Sequence, residues 1–505
     1  MAVAQGICPS CGAPIEFGVG SSIAKVCEYC SATVVRTDRG LENLGKVAAI
    51  ADTPSLIAVG DQGTLSGRPF QVLGRVQLDH GQGPWDEYYV AFDHGQTWGW
   101  LAYAQGRWHV TAQLPGIAVP PYSALRLEMD IQLGQTSYRV AEIKSGTVVS
   151  AEGELPSPAR PGTVRHYADL YGANHAFATL DYGDDTTGGY EVFTGWMFAE
   201  PQMQVTQLGE RSVKKIKSEM IKCPSCGGEI PKLSGDRAQR VGCPYCGAIS
   251  DIGTQQIVAQ QEAAMKLPDI PIGSRGTFDG IEYLCIAYLR RSSNFEGSRY
   301  TWEEYLIWSQ QVGYRWLVKD PETGWSWVME ASPGEIDLRG LPHQIAWGGR
   351  SYTLRNHSDA RVDYVLGEVY WQVQAGETTN VADFVHGQDV ISREEGHGEV
   401  HYSYSSPVRW PLIAGAFGLP LDSPGASLGV AGGFGTAAGF GGGTAIGSSF
   451  DSDDDDGEGF GSNVVTIIVI LVVLFVCSTG ACGACFGDGG GGGSYRGGGI
   501  YVGGK

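Results

Sequence analysis

Between residues 60 and 200 the apolar positions fall in short runs. Phe70–Leu78, Glu87–Phe92, Trp98–Tyr103, Leu125–Leu133 and Ser137–Ile143 are rich in Val, Leu, Tyr and Trp and bounded by Gly, Pro or Asp. Such runs predict antiparallel strands. Further strands are expected at Val164–Tyr171, His175–Asp181 and Tyr190–Phe198. Two stretches have helical composition instead: Leu41–Ala51, ended by Thr53-Pro54, and Thr254–Lys266, which stops before Leu267-Pro268. Each predicts a short helix. From Phe417 the pattern lapses into Gly, Ala and Ser, with six acids in the eight residues Asp451–Glu458. Too few large apolar side chains remain there to offset the entropy of ordering, and a linker is expected. Val464–Phe486 then runs 23 residues without a charge, enough to cross a bilayer core of about 30 Å as a helix.

The strand pattern occurs twice. Gly60-x-x-Gly63-Thr64-Leu65-x-Gly67 returns as Gly273-x-x-Gly276-Thr277-Phe278-x-Gly280, and Trp85-Asp86-Glu87-Tyr88 as Trp302-Glu303-Glu304-Tyr305. Trp100-Leu101 returns at Trp316-Leu317, Gly134-x-x-Ser137-Tyr138 at Gly348-x-x-Ser351-Tyr352, Gly153-Glu154 at Gly367-Glu368, and Ala168-Asp169 at Ala382-Asp383. The offset stays between 213 and 217 residues. Scattered matches at a near-constant offset indicate a duplicated unit.

Each copy is headed by paired Cys-x-x-Cys knuckles. Cys8, Cys11, Cys27 and Cys30 have fifteen residues between the pairs, and Cys223, Cys226, Cys243 and Cys246 have sixteen. Two such turns supply the four thiolates of a closed tetrahedral zinc site, so two zinc ribbons with two structural Zn²⁺ are expected. A redox dithiol is the weaker reading of one isolated Cys-x-x-Cys.

These signals give a mainly β chain of two tandem antiparallel domains, barrel- or sandwich-like, with two ribbons and one C-terminal transmembrane helix. The expected divisions are a ribbon at 1–40, a β-rich domain at 41–210, a second ribbon at 218–253, a second β-rich domain at 254–416, a linker at 417–463, the membrane helix at 464–486 and a glycine-rich tail at 487–505.

Composition narrows the function. Of 505 residues, 75 are glycine, and the net charge is −20. That acidity argues against a nucleic-acid surface, which needs Lys and Arg to displace counterions. The first residues, MAVAQGICPS, lack the basic and apolar regions of a signal peptide, and thiol metal sites suit a reducing compartment. Arg496 and Lys505 follow the span and weakly favour the opposite orientation. A single-pass membrane protein with its N-terminal body in the cytosol is expected. Cys477, Cys482 and Cys485 read as small residues suited to helix packing in the bilayer, with lipidation or metal binding as alternatives.

Candidate catalytic chemistry is sparse. Asp86, Glu87, Glu303 and Glu304 offer paired carboxylates beside aromatics, which could do acid–base work in a pocket. The simpler expectation is a strand whose acids face solvent. His80, His94, His109, His166 and His175 meet no histidine at the repeat offset, and Cys285 lies in the strand-like run EYLCIAYL as a core thiol. No phosphate-binding glycine loop leads from a strand into a helix.

The strings Gly60–Trp108 and Gly273–Trp327, with the later Gly-Glu, resemble the bacterial domain of unknown function 4178. That Gly-Glu runs on to an aromatic in the family. Trp371 fits this in the second copy, and Ser157 departs from it in the first. The resemblance implies domains combined with zinc ribbons and a membrane segment, in a membrane-stress or envelope system, with no established catalytic residues. A membrane-anchored adaptor for a protein partner is therefore expected, with an enzyme or enzyme subunit as the first alternative and nucleic-acid binding as the second.

Overall fold

The computed structural model describes residues 4–421, apart from 18–21, 38–39, 47–54, 81–83, 105, 185–188, 210–219, 262–266 and 296–297. The acidic linker, the apolar run 464–486 and the tail lie outside the described residues. No described helix is long and apolar enough to cross a membrane.

The first ribbon has strands β1 (Ala4–Ile7), β2 (Pro14–Phe17), β3 (Ala24–Val26), β4 (Ala32–Thr37) and β5 (Gly40–Lys46). The first β domain follows with β6 (Gln62–Leu65), β7 (Arg68–Asp79), β8 (Pro84–Phe92), β9 (Thr97–Ala104), β10 (Arg107–Gln113), β11 (Asp130–Leu133) and β12 (Thr136–Leu155). It ends with β13 (Val164–Gly172), β14 (Ala176–Gly183), β15 (Glu191–Phe198) and β16 (Met203–Gln207). The second ribbon contributes β17 (Met220–Lys222), β18 (Glu229–Pro231), β19 (Arg240–Gly242), β20 (Ala248–Asp251) and β21 (Ile257–Gln260). The second domain has β22 (Arg275–Phe278), β23 (Ile281–Phe295), β24 (Ser298–Ser309), β25 (Gly313–Asp320), β26 (Gly324–Ala331), β27 (Gln344–Trp347) and β28 (Arg350–Val369). It closes with β29 (Thr378–His386), β30 (Asp389–Gly396), β31 (Glu399–Pro407) and helix α1 (Trp410–Phe417).

Both domains are barrels. In the first, β7 pairs in turn through β8, β9, β10, β15, β14, β13 and β12, which returns to β7. In the second the ring runs β23, β24, β25, β26, β31, β30, β29 and β28, and β28 returns to β23. All pairs are antiparallel. Closure leaves no free edge within either ring.

Closure depends on one long strand in each copy. β12 and β28 are each 20 residues long and bend to serve two neighbours, β13 then β7 and β29 then β23. The bend ends in the repeated Gly-Glu. Gly153 and Gly367 have φ of 73° and 83°, and a Cβ on either would stand 2.2 Å from the carbonyl oxygen of Leu73 or Ile286. Only glycine meets both demands.

The barrels pack against each other. Ala104, Tyr171, Phe177 and Met197 of the first share a core with Ile336, Ile345, Tyr352 and Phe384 of the second. At the same junction the Ile143 amide donates to Gly398, Arg139 donates to the carbonyls of Pro333 and Ile336, and Arg393 holds Glu128 at 2.7 Å.

Within the described residues, strands stand where two helices were expected. Residues 40–46 form β5 against β4, and 257–260 form β21 against β20. In both places the preceding ribbon strand offers unpaired backbone groups, and hairpin pairing with it overrides a weak local preference. Gln261 then clasps both backbone groups of Val365 through its side chain, which fixes the exit of β21. Helix α1 was not expected. Pro411 near its start and Gly418, at φ 66° just past its end, are the punctuation that marks it.

Substituting Gly367→Ala should cost about 3 kcal/mol in denaturant unfolding, from left-handed strain plus overpacking. Gly134→Ala, at φ 61° with open space around it, should cost only about 1 kcal/mol.

Candidate metal centres and their seats on the barrels

The knuckles of both ribbons fold through the same hydrogen bonds. In the first, Cys8 N–H donates to Ala13 and Gly12 N–H to Cys8, while Cys27 N–H donates to Ala32 and Ser31 N–H to Cys27. In the second, the matching donors are Cys223, Gly227, Cys243 and Gly247. The residue after each knuckle takes positive φ at Gly12, Ser31, Gly227 and Gly247. That turn is what brings the two thiols of a Cys-x-x-Cys together.

All eight expected ligands converge, four to a site, with the Sγ atoms of each group within 4.8 Å of one another. Sγ separations are 3.8 Å for Cys8–Cys30, 3.7 Å for Cys11–Cys27, 3.7 Å for Cys223–Cys246 and 3.8 Å for Cys226–Cys243. A tetrahedron with metal–sulfur bonds of about 2.3 Å has edges of about 3.8 Å. Each group can therefore hold one tetrahedral metal ion. The Ala32 amide lowers the Cys30 thiol to about 7, and the Ala248 amide does the same for Cys246. The small cores beside the sites, such as Ile15, Phe17, Ala32 and Val34 in the first ribbon, are too slight to fold alone.

The ribbons are seated on the Gly-Glu corners. In the first, β3 adds to the end of β12 with Lys25 opposite Glu154 and Ala24 opposite Leu155, and the Lys25 ammonium lies 3.6 Å from the Glu154 carboxylate. In the second, β19 adds to β28 with Val241 opposite Glu368 and Gly242 opposite Gly367. There the Glu368 carboxylate accepts from Leu233 N–H at 2.6 Å, Ser234 N–H at 2.7 Å and the Ser234 hydroxyl. Burial still pushes this carboxyl above its ordinary value of 4.5. Arg240, fully buried, donates to the carbonyls of Gln372 and Val373 just beyond the corner. The repeat had marked Gly-Glu as shared, but nothing local showed what it touches; Ser234 and Arg240, between the knuckles, carried no recognisable pattern. Trp371, after the second corner, packs in the core against Trp316, whereas Ser157 is a buried hydroxyl.

Asp86, Glu87 and Glu304 of the aromatic box do not face solvent as expected, while Glu303 is half-buried and accepts from the Tyr305 hydroxyl at 2.9 Å. Glu87 and Glu304 are both 0 % exposed, and Asp86 is held at 2.8 Å by Arg75. Period-2 alternation places Glu87 and Glu304 on the inward faces of β8 and β24, where closure seals them. Glu304 accepts from the Trp302 indole at 2.6 Å and lies 3.5 Å from Arg291. The interiors keep a matched chemistry. Thr179 donates to Asp169 at 2.5 Å, and Ser392 donates to Asp383 at 2.6 Å. Asp181 and Glu394 hold equivalent places but take their arginine from different strands. Arg165 on β13 reaches Asp181 at 2.7 Å, and Arg291 on β23 reaches Glu394 at 3.0 Å. The histidines stay scattered. His109 is buried against Phe177, and His80 packs at a tilt against Trp85, where burial lowers it to about 4. Cys285 is buried, and burial raises its thiol.

Comparison with known proteins fits the duplicated barrels. Residues 58–199 and 271–409 each match the domain of unknown function (DUF4178), and together they span more than half of the chain. The chain belongs to the DUF4178 family. Its two DUF4178 units coincide with the two barrels, and both corner glutamates lie inside the matched ranges. No curated protein and no solved structure matches the chain.

A buried charge group joins the two DUF4178 units. Lys144 lies 2.7 Å from Glu399 and 3.4 Å from Glu142, which also accepts from Tyr167. Burial, with Glu399 and Asp169 nearby, pushes the Glu142 carboxyl well above 4.5 despite Lys144. A carboxyl raised on folding favours the fold while protonated, and that contribution is lost as pH rises from its ordinary value through the raised one. Glu377, pushed by burial to about 7, adds the same sign between about 4.5 and about 7. Stability should therefore fall with rising pH, at up to about 1.4 kcal/mol per unit for each such group. Glu142→Gln should flatten that slope in thermal unfolding followed from pH 5 to pH 9.

Proposed function

We propose that this protein is a membrane-tethered adaptor whose ribbons each hold one Zn²⁺ and whose body binds a protein partner. The observation that carries the reading is a matched pair of exposed aromatics. Tyr29 and Tyr245 occupy the same place in the second knuckle of each ribbon, 74 % and 63 % exposed. The Tyr245 hydroxyl donates to the Glu229 carbonyl at 3.2 Å, which fixes its ring. A pre-ordered tyrosine on a metal-held turn is the side chain that protein interfaces favour as an anchor. Four thiolates at tetrahedral spacing, with no open ligand position, suit structural zinc.

The apolar run Val464–Phe486 would serve as the anchor, with the body on the cytosolic side and the linker giving reach. The family resemblance suggests work in a bacterial membrane-stress or envelope system. The burial of Glu87 and Glu304 weighs against an enzyme built around those carboxylates, and the net charge of −20 weighs against nucleic acid.

Metal analysis of the purified full chain should find about two zinc per chain, with one lost in Cys8→Ser/Cys11→Ser and the other in Cys223→Ser/Cys226→Ser. In cells, cross-linking of the anchored chain should recover a specific protein partner at the membrane. Tyr29→Ala with Tyr245→Ala should cut that recovery about tenfold or more, as loss of interface anchors does. Undiminished recovery by the double variant would refute the knuckle surface.

A further inference from the structure

The two ribbons are not seated alike. The strand pairing and ion pair of the first go to its own barrel, where Ala24 and Val26 join a core with Leu73, Tyr89 and Leu155. The second is seated on its own barrel by Glu368 and also reaches the other one. Arg237, between its knuckles, donates through Nε to Glu200 at 2.8 Å and through a second nitrogen to the other oxygen of that carboxylate. Glu200 lies just past β15, the last strand of the first barrel's ring. A two-point arginine–carboxylate contact of this kind fixes direction as well as distance.

The same guanidinium touches three structural bodies. Its Nη1 donates to the Ser234 carbonyl at 2.8 Å, in the segment that caps Glu368, and its plane lies 4.6 Å over the Trp308 ring of the second barrel. Beside it, the Tyr314 ring of the second barrel packs on Gly106 of the first, where an added Cβ would stand 2.0 Å from the ring. A cavity of about 50 Å³ completes the seam, walled by Trp85, Asp86 and Tyr103 on one side and Arg237, Gln239 and Asp251 on the other. The segment that carries Arg237 is a single short turn, Gly235–Arg237, strung between Cys226 and Cys243. Its position therefore depends on the two knuckles being drawn together.

We propose that the second metal site is a conformational bolt: its occupancy fixes, through Arg237, the edge of the seam away from the shared core of the two barrels, whereas the first site only fastens its ribbon to the first barrel. The proposal rests on the reading of both four-cysteine groups as metal sites. Loss of the second ion releases the turn 235–237, and with it the contact to Glu200. Loss of the first leaves that contact intact. Conditions that withdraw zinc or oxidise thiols would then loosen the seam between the units, a change in shape that a partner could read.

The test is hydrogen exchange by mass spectrometry on the full-length chain in detergent, with metal content measured on each sample. Cys223→Ser/Cys226→Ser should raise exchange at least tenfold in Thr97–Ala104 and in residues 199–207 of the first barrel. Cys8→Ser/Cys11→Ser should leave both segments unchanged. Arg237→Ala should keep both metal ions and still raise exchange in the same segments, with β29 and β30 as unchanged internal references. The proposal is overturned if Arg237→Ala leaves the first barrel unaffected, or if losing the first site loosens it as much as losing the second. A wild-type chain without metal at the second site would overturn the metal reading, and that failure shows in the metal content alone.

Discussion

Each half of this protein depends on one strand that has to close a ring and also seat a ribbon. β12 and β28 run along one barrel strand, bend, close the ring on another, and then accept a ribbon strand at their ends. A bend that brings two backbones this close requires glycine, and the residue after it is turned toward the ribbon. The Gly-Glu pair of the repeat is therefore a joint: its glycine closes the barrel and its glutamate seats the metal module.

The joint explains why the ribbons belong to this fold. A ribbon has too small a core to stand without metal, and on a barrel corner it gains a continuing sheet and a carboxylate partner. Glu368 accepts three donors in the second copy, while Glu154 faces Lys25 in the first. The same logic of paired burial fills the barrels. Their inward acids are held by Arg, Thr, Ser or Trp, and the exchange of Arg165 for Arg291 shows the charge balance kept while its source moved between strands. The interiors thus act as specified cores, and the surfaces are left for recognition.

Much of this was legible in the sequence. The duplication, most strands and the two groups of four cysteines follow from spacing and alternation. What was not legible was set by strand pairing that local composition does not show. β10 meets β15 across some eighty residues, so the barrels could not be told from sandwiches by local pattern. Glu87 and Glu304 read as solvent-facing because alternation gives a face but not which face closure seals. Residues 257–260 had helical composition, yet the ribbon edge took them as a strand. Helix α1 did carry a local signal, Pro411 with Gly418, hidden because the helix is only eight residues long.

The central claim is that metal module and barrel form one cooperative unit through the corner glutamate. The most direct test is the metal affinity of the second site, measured with Zn²⁺ as the probe by chelator competition on the full chain with and without Glu368→Ala. Losing charge-assisted hydrogen bonds worth about 1.5–3 kcal/mol should weaken binding there by roughly tenfold or more and leave the first site unchanged. Equal affinity in the two proteins would mean that the ribbon folds around its metal independently of the barrel, and would contradict the account.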